Sequence, residues 1–304
     1  MESFNRNRRR GAALMLSLWA LFLLSAMVIS WALEVGARLN MSGNASRGLE
    51  AQALACSGAE IAQHPLTKPG SPALVGGFGR NQTFETRITG EGGRINLGWL
   101  IKGEDPVKLE VLRKFLEIKG VELNERDQMI DTLLDWVDAD NLARLNGAEE
   151  EAGYRAANKM FTRIEELKKV MGWDEFTSAE DWDSDFTLNS QGPINLAWAS
   201  RDVLLALPGT DEMRVDQFLT MRPGPDGIDG NDDDTFAPGQ TPARMDEVFA
   251  VLGIPQVGNL VEFKKDDPFQ RIISVGESGA ATRTVHAVFQ KTGNALTQKS
   301  WKEF

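Results

Sequence analysis

No charged residue interrupts the apolar and small side chains from residue 12 to residue 33, and no other stretch of the chain stays apolar for so long. A membrane-crossing helix needs about 20 such residues, so the run predicts a single transmembrane helix. Helical spacing continues beyond it. Val35 and Leu39 lie one turn apart, as do Leu49, Ala53 and Cys56, and Leu54, Gly58 and Ile61 form a neighbouring stripe. Pro65 is the first strong stop. The pattern predicts one helix from Ala12 to about Gln63, apolar all round in its first half and amphipathic in its second.

Residues 66–80 are rich in Gly, Pro and Ser and read as a loop. Residues 83–89 then alternate polar and apolar in strand fashion, residues 90–93 give a turn, and 94–97 follow as a short extended piece. Apolar spacing changes to helical over 106–120 and 126–137, and again over 158–171, 200–207, 211–221 and 243–252. Strand alternation returns at 271–275 and 282–289, with a hairpin turn expected at 276–279. Strands therefore bracket a long helical block. The fold class expected is α+β: a long N-terminal helix packed on a small antiparallel sheet, with a large α-helical domain inserted between strands. A weak internal repeat lies in that block, since Arg94-Ile95-Asn96-Leu97-Gly98-Trp99 is echoed by Pro193-Ile194-Asn195-Leu196-Ala197-Trp198, each ahead of a helix.

A basic head, Arg6, Arg8, Arg9 and Arg10, stands directly before Gly11 and the apolar run. In an ordinary secretory signal the small-residue cleavage site lies after the apolar region. Here the glycine lies before it, which fits a prepilin-type leader cut between Gly11 and Ala12, with the helix retained. Two other readings stay open. One is an anchor that is never processed. The other is a secretory signal cut after Ala32, where Ser30-Trp31-Ala32 fits a small-x-small site. The arginines place the N-terminus in the cytoplasm and everything after Leu33 outside it.

The formal charge is −11, and cleavage after Gly11 would leave the chain more acidic still. Such a surface repels nucleic acid and anionic lipid and can hold divalent cations. The single cysteine, Cys56, rules out an internal disulfide framework and reads as a small packed residue; His64 and His286 have no partner at ligand spacing. No Ser/His/Asp set, P-loop or cysteine cluster is present, so no catalytic centre is expected. The acidic stretch from Asp226 to Asp234 sets many oxygen ligands on a glycine-punctuated turn, which suits Ca²⁺. Asp226, Asp229, Asn231 and Asp233 are the expected ligands, with Asp232 and Asp234 as alternates. The spacing is not that of an EF-hand. Asp135, Asp138 and Asp140 read first as a helix end whose side chains cap backbone N–H groups. With Glu149 they also make a second candidate cation site. Leu207-Pro208-Gly209 has the look of a helix-hairpin-helix turn but runs into Thr210-Asp211-Glu212, which is wrong for phosphate contact.

Taken together, the head Arg10-Gly11-Ala12-Ala13-Leu14, the run Leu133-Leu134-Asp135-Trp136-Val137-Asp138-Ala139-Asp140, and Arg144-Leu145-Asn146-Gly147-Ala148-Glu149 with Tyr154 resemble the minor pseudopilin K family of type II secretion systems. The resemblance implies a pseudopilin head with an inserted α-helical domain of SAM-like, helix-hairpin-helix units, and calcium held in that domain. It implies a leader over 1–11, a transmembrane helix over 12–33, the pseudopilin helix and first strands over 34–97, the insert over 98–265, and the last strands over 266–304. It further implies a prepilin peptidase, other minor pseudopilins and the inner-membrane secretion platform as partners, with the bulk of the chain periplasmic. Most pilin subunits carry Glu at the fifth mature position, to neutralise the neighbouring N-terminal ammonium in apolar surroundings. The position here is Leu16; the family also lacks this Glu, which suits a subunit with none above it. The other function classes are a membrane-anchored periplasmic module binding a ligand or DNA, and a minor pilin of a type IV pilus.

Overall fold

The structure, a computed structural model, describes residues 2–79, 81–151, 153–236, 245–255, 259–293 and 295–304; of residues 2–13 it gives the backbone alone. Helix α1 (Glu2–Ala62) runs without a break for about 90 Å at 1.5 Å per residue. Gly11 and Ala12 lie within it. From Leu14 to Leu33 its large side chains point to the outside, and its most apolar window has a mean hydropathy of 2.1 with none of it buried in the chain. Among the described residues it is the one helix long and apolar enough to cross a membrane.

After α1 come strands β1 (Val75–Gly77), β2 (Gln82–Gly90) and β3 (Ile95–Asn96). Helices α2 (Leu97–Ile101), α3 (Pro106–Ile118) and α4 (Leu123–Val137) follow, then four two-residue strands, β4 (Glu150–Glu151), β5 (Tyr154–Arg155), β6 (Phe186–Thr187) and β7 (Ile194–Asn195). The chain continues through α5 (Arg201–Leu205), α6 (Glu212–Met221), α7 (Met245–Leu252) and β8 (Val261–Glu262), and ends in β9 (Phe269–Ser278), β10 (Ala281–Thr292) and β11 (Ala295–Glu303). One antiparallel sheet has the order β1-β2-β9-β10-β11, so every element from β3 to β8 lies between two strands that are neighbours in space.

The end of α1 lies on this sheet through Ala51, Leu54, Ala55, Gly58, Ala59 and Ala62, all buried. Their small side chains let the backbones approach. Beneath Gly58, Thr86 of β2 and Ser274 of β9 face each other in register and share a buried hydroxyl hydrogen bond of 2.8 Å. The inward stripe is thus the Leu54–Gly58 one; Leu49 and Ala53 are exposed. One turn nearer the N-terminus, Glu50 accepts hydrogen bonds from Ser278 (2.7 Å) and Gln82 (2.9 Å), which hold its carboxyl below the usual range and tie α1 to both strands.

The internal repeat is structural. In each copy the Ile-Asn pair forms a parallel bridge with a segment far along the chain: β3 with β6, and β7 with β8. Each asparagine then turns the chain into its helices. Asn96 caps α2 by accepting from Trp99 N at 3.0 Å, and Asn195 accepts from Ala197 N at 3.2 Å. Two tandem helical modules result, sharing one large core that contains Leu97, Leu112, Phe115, Leu133, Trp173, Leu196 and Phe218.

Three expectations change. The helix expected over 158–171 is only a 3-10 turn at Ile164–Lys169. The Glu166 carboxylate takes the backbone N–H groups of Thr162 and Arg163 (3.0 Å each), which starts the turn late, and Asn158 adopts a left-handed φ of 50° just before. The hairpin turn falls at residues 279–280, not 276–279, because Gly276 is inside β9 under α1. Residues 75–77 and 295–303, read as loop or left unassigned, form the two edge strands. The first two residues of the helix expected at 243–252 lie outside the described residues.

Candidate functional site

The acidic stretch 226–234 is a compact turn in which each carboxylate has a protein partner, with one oxygen, Asp234 Oδ1, buried without a hydrogen bond. Asp229 gives both oxygens to Arg222, at 2.8 and 2.7 Å. That arginine is almost wholly buried, and its remaining arm donates to the carbonyls of Leu196 (3.1 Å) and Ala199 (2.8 Å). Asp226 accepts from Ile228 N and from the Asn231 amide, and Asp233 accepts from Asp226 N. Asp232 pairs with Lys68 of the loop after α1 at 2.7 Å and with Lys265 ahead of β9 at 3.6 Å. Asp234 accepts from Gly230 N, and its burial pushes its carboxyl up. The loop therefore braces the second module against the head. The structure does not gather Asp226, Asp229 and Asp233 around one point.

Asp135, Asp138 and Glu149 are gathered. Among the described residues they are the group of three carboxylates that each offer an oxygen within 4.8 Å of the others. Asp135 and Asp138 come from the last turn of α4 and its cap, three residues apart and hence on one face. Glu149 returns to them through the loop 141–148. Gly147 makes that return possible, since a Cβ there would collide with the Asp135 carboxylate. Arg144, in the same loop, donates to Asp135 and Asp138 at 2.5 and 2.6 Å and to Glu104 at 2.7 Å. Burial opposes its charge, but the hydrogen bonds to Asp138 and Asp135 outweigh this and raise its pKa. Asp140 stands apart: it is exposed and accepts from Leu142 N at 2.9 Å, the turn role expected of it.

Two oxygens in this cluster, Asp138 Oδ1 and Glu149 Oε1, are buried with no hydrogen-bond partner. Burial, then the charges of Asp138 and Asp135, push the Glu149 carboxyl above the usual carboxylate range. Three carboxylates against one guanidinium leave negative charge in a largely dry place, which is costly unless compensated. Oxygens around one Ca²⁺, at 2.3–2.6 Å from it, stand no more than about 5 Å from each other. The cluster fits that limit. Arg144 and Gly147 lie in the motif but belong to no metal-ligand pattern, so spacing alone does not reveal their part in closing it.

At the hairpin before α6, Thr210 donates its hydroxyl to backbone carbonyls and Asp211 caps α6 by accepting from Arg214 N at 2.9 Å. Arg201 and Arg214 beside it are bound to Asp216 and Asp211. At the other end of the molecule, Leu16 lies exposed on α1 among apolar neighbours.

These features place the helical block beside known proteins. Residues 93–180 match the family of type II secretion system (T2SS) protein K. The resemblance carried by the Leu133–Glu149 motif is thereby shown, and the match coincides with the first of the two helical modules. Type II secretion system protein K of Pectobacterium carotovorum subsp. carotovorum is 35% identical over 75 residues, 23% of this chain and 23% of the relative. That of Dickeya chrysanthemi is 31% identical over 71 residues, 23% of this chain and 20% of the relative. The matched stretch thus spans about a quarter or less of either. A solved structure, the GspK-GspI-GspJ complex of the enterotoxigenic Escherichia coli type 2 secretion system, holds a chain with a TM-score of 0.52 at 13% identity, covering 89% of this chain and 99% of that one. The two chains share the α+β fold over that length.

Proposed function

We propose that this chain is a minor pseudopilin of a type II secretion system, processed after Gly11 and placed at the tip of the pseudopilus, where it starts assembly with other minor pseudopilins. The role is structural and not catalytic. The observation that carries the reading is the division of α1. Its first half exposes an unbroken apolar surface, and its second half is welded to the sheet that holds the protein K-like modules. A subunit built this way can leave the inner membrane by sliding its apolar helix among those of its neighbours, while the head stays periplasmic. Prepilin peptidase and the inner-membrane platform are the further partners this implies. The chain in the GspK-GspI-GspJ complex stands with two such neighbours, which supports the partner class.

Calcium belongs to the same proposal, at Asp135, Asp138 and Glu149 rather than in the 226–234 turn. There it would supply positive charge to the two orphaned oxygens and fix the loop 141–148. The deciding experiment is deletion of the gene in its own host. Exported enzymes should then accumulate in the periplasm, and the wild-type chain should restore their release. Normal export in the deletion strain would overturn the proposal.

A further inference from the structure

Between the end of α3, the first half of α4 and the turns at 172–182 lies an open groove of about 450 Å³. That volume is within the range of pockets that hold a small ligand or a few side chains. Its floor is apolar: Val121, Met129, Phe176 and Trp182. Its rim is acidic on two sides. Glu125 stands on α4, and Asp174, Glu175 and Asp181 stand on the facing turns. All four are exposed, and none makes an ion pair or side-chain hydrogen bond among the described residues. This sets them apart from the acidic turn at 226–234, whose carboxylates are engaged. The one cation among the groove-lining residues, Lys119, is itself held by Asp185 (3.0 Å) and Asp202 (2.5 Å) and does not neutralise the rim. The floor also tolerates a cation, because Lys168 Nζ already lies 5.5 Å from the Trp182 ring centroid.

We infer that this groove of the first helical module is a docking site for a basic, amphipathic peptide segment of a partner protein, with an apolar side chain on the floor and Lys or Arg on both rims. The argument is charge complementarity around an apolar centre. Unpaired carboxylates on opposite sides of an apolar floor raise the local concentration of cationic segments and reject acidic ones. A lone metal ion would leave the floor unused, and a neutral apolar peptide would leave four carboxylates uncompensated. The inference needs neither the anchor nor the tip position, so its failure leaves the proposed function standing.

The test uses the full chain in a nonionic detergent and a labelled short peptide with lysines flanking a Leu-Phe pair. The controls are the same peptide with Glu for Lys and with Gly-Ser for Leu-Phe. Fluorescence anisotropy should show saturable binding of the first peptide that weakens as salt rises, with both controls at least about fivefold weaker. The double variant Glu125→Lys/Asp181→Lys, both changes on exposed side chains, should lose about five- to tenfold in affinity, as two exposed charge pairs imply. Binding of the acidic control as tight as that of the basic peptide, an unchanged affinity of the double variant, or no saturable binding at all would overturn the inference. A variant whose circular dichroism and melting match the wild type keeps each result readable.

Discussion

Gly276 of β9 and Ala51 of α1 meet backbone to backbone. A Cβ on Gly276 would lie far inside contact distance of the Ala51 carbonyl and 2.5 Å from Ala55 N. No side chain could yield there, because the obstacle is main chain on both sides. Gly276→Ala should therefore lift the helix and cost about 1–3 kcal/mol or more, as overpacked cores do. Gly43→Ala, on the same helix but with nothing within 4 Å of its Cβ, should be neutral or stabilising by about 0.5–1 kcal/mol. Thermal melting of the two variants side by side checks this. Equal melting points would mean that the helix is not seated on the sheet as described.

This contact also shows what was legible in the residues. The uncharged apolar run over 12–33, the helical periodicity over 35–61 and the alternation over 83–89 are enough to read α1 and β2, because the end of α1 and β2 each bury one regular face. In the sequence Gly276 reads as a turn residue, since nothing local distinguishes a glycine needed for close approach from one needed for a bend. Strand β11 carries no alternation to read for a related reason: at the sheet edge it buries little, so Gln298, Lys299 and Lys302 break the pattern. The acidic turn drew attention through charge density alone. The partner that engages Asp232, Lys68, lies 164 residues away and carries no mark of it. Asp135, Asp138 and Glu149 were visible as residue types. Their convergence depends on Gly147 and Arg144, which only the folded loop brings into play.

Arg222 and Asp229 make the second prediction. The guanidinium is almost fully buried and depends on this carboxylate for its charge partner. Asp229→Ala should destabilise the chain by about 3 kcal/mol, the lower end for breaking a buried pair, because Asp229 itself is partly exposed. The loss should be the same in calcium and in chelator. A calcium-dependent loss would return the metal to this turn.

Calcium and pH should act together at Glu149. Its folded pKa is raised, so between the ordinary glutamate value and the raised one the folded chain binds more protons than the unfolded chain. Stability without metal must then fall as pH rises through that window. A divalent cation favours the ionised form and reverses the effect. The stabilisation by Ca²⁺, followed as a rise in melting temperature, should grow with pH across the window, reaching about 2.7 kcal/mol at a hundred times the dissociation constant. Asp138→Asn with Glu149→Gln should remove both the gain and its pH slope. A gain that survives in this double variant would place the ion elsewhere.

Processing is tested at Gly11. Co-expression with a prepilin peptidase should yield a chain whose N-terminal sequencing starts at Ala12, and Gly11→Val should block this. A mature chain starting at Leu33 would instead establish cleavage by a secretory signal peptidase.

Leu16 stands at the fifth position after Gly11. No carboxylate occurs from residue 12 to residue 33, so α1 offers nothing to neutralise the N-terminal ammonium of a subunit stacked above it. A subunit inside the shaft would need such a group, because an unpaired charge in apolar surroundings is expensive. At the tip there is no subunit above, and leucine costs nothing. Leu16→Glu therefore adds a charge without adding a partner. The insertion penalty for an acidic residue is about 2.5–3.5 kcal/mol at a helix centre and smaller near the end of the apolar run, where Leu16 lies, so the variant should restore secretion to the deletion strain less well than the wild type, or at best equally. A clear gain in pseudopilus assembly from Leu16→Glu would mean that the carboxylate finds an ammonium to pair with. Labelled wild-type chain found along the whole shaft would say the same, and the chain would then belong inside the filament and not at its end.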